Sequence, residues 1–138
     1  MKQTRTIIII GICLGLVGVG GQVWLLRSTV PYAQVGRGVL FLAIAAAIGV
    51  IATFTDRLEP MKTAALGGFV AGFVQSWSTL FLSFDRQAFH SVELALARIS
   101  AILITLALAS WMTAGLAAIV AYPITQAFSK EGLVHEAN

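Results

Sequence analysis

The chain has 138 residues, 58% of them hydrophobic and only 11% charged, far below the roughly 25% charged residues of a soluble domain. Its net charge of +3 is spread over short links and tails, a pattern of membrane topology and headgroup contact rather than of nucleic-acid binding. The single cysteine, Cys13, excludes an intrachain disulfide and reads as a small buried or lipid-facing hydrophobe.

Four long charge-free runs account for this composition: Arg5 to Arg27, Arg37 to Asp56, Lys62 to Asp85 and Arg98 to Lys130. Each approaches or exceeds the length of helix needed to cross about 30 Å of hydrocarbon. None alternates apolar and polar residues as the strands of a β-barrel would. The sequence therefore predicts an all-α membrane protein, a single polytopic domain of four transmembrane helices joined by short loops.

The first span is expected over 6–26. Its start, "MKQTRTIIIIGICLGLVG", resembles a secretory signal, but the apolar run is too long and no small-residue cleavage site follows, so a retained signal anchor is expected. Pro31 then discourages helix at the preceding residue. The second span, 36–55, is barely long enough, with Arg37 snorkelling to the interface. In "TDRLEPMK", Thr55 or Asp56 ends that helix and Pro60 suits the first turn of the next. The third span is expected over 63–84.

"FDRQAFHSVELALAR" follows. Phe89, Val92 and Leu96 share one helical face while Arg86, His90 and Glu93 share another. This suits either a short amphipathic helix at the interface, continuous with the fourth span or bent from it, or an extended helix end protruding into water. The fourth charge-free run is too long for one crossing, so the span is expected over 99–122, broken at Tyr122-Pro123. A polar tail over 123–138 is expected to be helical at first and then frayed.

Small residues recur at four-residue spacing. Gly11 and Gly15, with Gly18 nearby, lie in the first span; Ala45, Gly49 and Thr53 in the second; Ala64, Gly68, Gly72 and Ser76 in the third. The fourth carries Ala97, Ala101, Thr105, Ala109, Thr113, Ala117 and Ala121. Such rows let helix backbones approach closely in lipid. Each step of four rotates about 40° around the helix, so the seven-member row is expected to touch one neighbour near its start and another near its end. Phe69, Phe73 and Leu80 are expected to point elsewhere.

No span carries an ionisable Asp, Glu, Lys, Arg or His at its middle, which argues against a proton-coupled carrier. Gln22, Gln75, Thr79 and Thr113 are the candidates for interhelical hydrogen bonds or a polar path, Gln75 the most pointed because a buried amide seeks partners at both ends. Trp111 falls near mid-membrane and is expected to pack, whereas Trp24 and Tyr122 suit the interface. His90 and Glu93 alone resemble a metal motif, but in reversed order and without a second pair. No nucleotide loop or nucleophile with a base is legible. The expectation is a non-enzyme without cofactor, partnered by the lipid bilayer and by itself or other membrane subunits, and by no nucleic acid. It acts either as an accessory subunit or as a small homo-oligomeric channel lined by Gln75, Ser78, Thr79 and Thr105. A bacterial inner membrane with both termini cytoplasmic is expected, although five basic residues on one side against four on the other set orientation weakly.

Overall fold

The computed structural model describes residues 2–27, 32–82 and 92–136. Four helices occupy them in chain order: α1 (Lys2–Arg27), α2 (Ala33–Thr55), α3 (Pro60–Leu82) and α4 (Val92–Glu136). This is an all-α membrane protein. Among the described residues three of the helices are long and apolar enough to cross a bilayer: α1, α2 and α4. α3 matches α2 in length, at 23 residues each.

The registers fix an up-down-up-down bundle. Gly11 lies against Gly67 and Gly15 against Ala71, so α1 and α3 run parallel. Gly68 lies against Ala114 and Gly72 against Ser110, so α3 and α4 run antiparallel. Among the described residues α1 touches α2 and α3, α4 touches α2 and α3, α2 also meets α3, and α1 does not meet α4. The cross-section is a rhombus with α2 and α3 on its short diagonal. Its core is correspondingly thin: Ile7, Ile44 and Ile48 supply the bulk, and alanines fill most of the rest.

The link between α2 and α3 is built around one side chain. Asp56 leaves the helix in an extended conformation while its N–H still donates to the Ala52 carbonyl at 2.9 Å. Its carboxylate accepts from the N–H groups of Leu58 (3.1 Å) and Glu59 (3.2 Å) and from the Thr63 hydroxyl (2.8 Å). Pro60 then begins α3, where its missing N–H costs nothing. The Thr63 hydroxyl and then the Glu59 N–H hold the Asp56 carboxyl below its ordinary value of 3.8; desolvation opposes them, and the Leu58 N–H adds to the lowering.

One expectation about α4 is corrected. Pro123 does not break it: the helix continues to Glu136, 45 residues in all. The physical reason lies in α2, which grips α4 on both sides of the proline. Gly49 packs on Ala117 and Val120 before it, and Phe54 meets Phe128 edge-to-face at 5.9 Å after it. Tertiary packing of this kind outweighs the lost hydrogen bond of a helical proline. From Val92 onward the amphipathic stretch is the start of continuous α4, the expected alternative of a helix end running into the fourth span, with Val92, Glu93 and Leu96 exposed on it. Arg86, Phe89 and His90 lie outside the described residues.

Candidate functional site

α3 uses adjacent glycines to approach helices on two sides. Successive residues point about 100° apart on a helix, so Gly67 and Gly68 face different neighbours. A Cβ on Gly67 would come within 2.9 Å of both Ile7 and Ile48, whereas one on Gly68 would stand 2.6 Å from the Thr113 carbonyl oxygen and 3.0 Å from Ala114 Cα. One turn later a Cβ on Gly72 would meet Thr113 Oγ1 at 2.6 Å, the Ala109 carbonyl oxygen at 2.9 Å and Ser110 Cα at 3.0 Å. Backbone, not flexible side chain, is what most of these positions would strike.

The other helices answer in kind. On α1, Gly11 would place a Cβ 2.8 Å from the Gly67 carbonyl oxygen, and Gly15 would place one 2.8 Å from Val74 Cβ. Gly18 gives up its side-chain volume to the Gln75 amide, with Ile44 Cδ1 alongside. On α2, Gly49 sits over the Ala117 carbonyl oxygen, 2.6 Å from where its Cβ would be. The structure thus brings Gly11, Gly15, Gly49, Gly68, Gly72 and Ala109 to helix seams, with Ser76 buried on α3. Ala101 and Thr105 are not brought there: both are exposed, as is Ala97. Only the second half of the seven-member row is enclosed, and both of its neighbours are met there, α3 from Ala109 to Ala117 and α2 at Ala117.

The polar candidates divide by hydrogen bonding. Thr105, Ser110, Thr113 and Thr125 donate to the carbonyl four residues back, at 2.7–2.8 Å, the ordinary way to keep a hydroxyl satisfied in hydrocarbon. Their protons are committed to their own helix. Gln75 is buried inside the bundle beneath Gly18, and Gln22 is half-buried. The side chains of Ser78, Thr79 and Leu80 lie outside the described ones. Trp111, expected to pack within the bundle, is instead exposed on the outer face and meets Phe69 edge-to-face at 6.3 Å. Phe69 and Phe73 are also outward-facing, the latter stacked on Trp77. Trp24 is exposed near the end of α1 and Tyr122 is exposed within α4, its hydroxyl accepting from Gln126 Nε2 at 2.7 Å. Cys13 is exposed too.

Gly67 and Ser110 were not distinguished by spacing alone. Gly67 is legible as half of a Gly-Gly pair, which serves two partners at once; Ser110 belongs to a shorter row with Ala114 and Ala118, apart from those singled out above. Among the described residues no group of three or more His, Cys, Asp and Glu converges as a metal site would require, and Glu93 is exposed. The chain matches no family model, no curated protein and no solved structure.

Proposed function

We propose that this protein is a non-enzymatic structural or accessory subunit of a larger membrane assembly, seated in a bacterial inner membrane with both termini cytoplasmic. The observation that carries the reading is the contrast along α4. Ala109, Thr113, Ala117 and Ala121 are closed against the chain's own helices, while Ala97, Ala101 and Thr105 continue the same row in the open. In lipid, an open row of small residues on an apolar helix suits close approach by another helix. Five of the nine basic residues (Lys2, Arg5, Arg57, Lys62, Lys130) then fall on the cytoplasmic side.

Native mass measurement after mild-detergent purification tests this. A co-purifying chain of different mass is expected; a monodisperse monomer overturns the reading. A pure homo-oligomer would turn attention to the channel alternative, to be checked by liposome flux of Gln75→Leu and Thr79→Val. That alternative is less favoured, because Gln75 is enclosed within one protomer while Thr105 faces outward.

A further inference from the structure

A crevice of about 450 Å³ opens where the end of α2, the start of α3 and the last third of α4 meet. Arg57, Ser129, Thr53, Thr125, Phe54 and Phe128 line it. We propose that it binds the phosphate-bearing head of an anionic phospholipid.

The charge argument starts from the link. Arg57 stands between two acids that are both engaged: Asp56 by two N–H groups and the Thr63 hydroxyl, and Glu59 by Lys62 at 2.7 Å. Arg57 itself has no ion pair among the described residues. Its guanidinium is thus an uncommitted, permanently charged fork, the group best shaped to hold phosphate oxygens. The hydroxyls differ in what they offer. Thr53 and Thr125 donate to the carbonyls of Val50 (2.6 Å) and Ala121 (2.7 Å), so they present only lone pairs, which accept from hydroxyls of a glycerol-type head group. Ser129 adds a hydroxyl at the rim.

Position selects a lipid over a free anion. In the sequence the charge-free runs of α2 and α4 end at Thr55, before Asp56, and at Ser129, before Lys130, which puts Arg57 at headgroup level. Phe54 and Phe128, both more than half exposed, form an apolar wall beside the cation, suited to the ester and upper acyl region of a lipid and to nothing in inorganic phosphate.

The test is lipid retention by the full-length chain in native mass spectrometry, with phosphatidylglycerol, phosphatidylcholine and inorganic phosphate as separate probes. Arg57→Gln should weaken phosphatidylglycerol retention about five-fold, the usual worth of one basic residue at an anionic surface, and Arg5→Gln, an exposed basic change outside the crevice lining, should leave it unchanged. Phosphatidylcholine should bind weakly to all three proteins alike. Retention in Arg57→Gln equal to the parent, or an equal loss in Arg5→Gln, overturns the site in favour of diffuse surface charge. Displacement of phosphatidylglycerol by an equimolar amount of inorganic phosphate overturns the lipid assignment. None of these outcomes depends on whether the protein is a subunit of a larger assembly.

Discussion

The two halves of α4 carry the same pattern and meet opposite fates. From Ala109 to Ala121 its small residues lie under Gly68, Gly72 and Gly49; from Val92 to Thr105 nearly every residue is exposed. What separates them is the partner. The carboxy-terminal half is faced by glycines at matching heights on α2 and α3, so backbone can approach backbone. Among the described residues the amino-terminal half faces no such glycine. A small-residue row therefore states that a helix is able to approach another, and only the opposing surface decides whether it does.

The largest expected effect strikes the closed half. Gly72→Leu should destabilise the bundle by about 1–3 kcal/mol, the common scale of overpacking, because Thr113, Ala109 and Ser110 leave no room for a side chain. Phe73→Leu, at an outward-facing position, should be milder. Unfolding of both in one detergent is the measurement, and equal midpoints would mean that the seam yields as easily as lipid does.

A smaller effect is expected at the link that positions α3 for that seam. Because the Asp56 carboxyl is held below its ordinary 3.8, its contribution is complete above that value and is lost as pH falls through the depressed one. Stability of the parent should decline over this acidic window, and Asp56→Asn, which starts less stable at neutral pH, should show a shallower decline. Parallel pH profiles for the two proteins would remove Asp56 as the cause.

The smallest intramolecular effect belongs to the open half. Ala101→Leu should leave unfolding within about 0.5 kcal/mol of the parent, as surface changes usually do, yet reduce recovery of a co-purifying chain. A loss of stability matching Gly72→Leu would show that the two halves are not different in kind.

Much of this was legible beforehand. Charge-free runs marked the helices, and four-residue spacing pointed to Gly68, Gly72 and Gly49. Spacing could not say which end of the long row would be covered, since Ala101 and Ala117 are the same residue in the same register. Pro123 misled because its cost is local, whereas the grip of Gly49 and Phe54 on either side comes from residues some 70 positions earlier in the chain. Trp111 misled for a related reason: hydrophobicity places an indole in the bilayer but does not choose between lipid and protein. The Arg57 crevice had no sequence signal at all, because it combines the ends of three helices.

The rhombic arrangement, in which α1 and α4 do not touch among the described residues, also has a meaning for synthesis. Chains emerge and fold amino-terminal end first. Once α3 has entered the membrane, its face toward α1 and α2 finds Gly11, Gly15 and Ile48 already present, and that three-helix unit closes without waiting. The opposite face, with Gly68 and Gly72, has lipid for a neighbour until α4 arrives. During that interval the nascent protein displays a glycine groove with the shape of its own last helix.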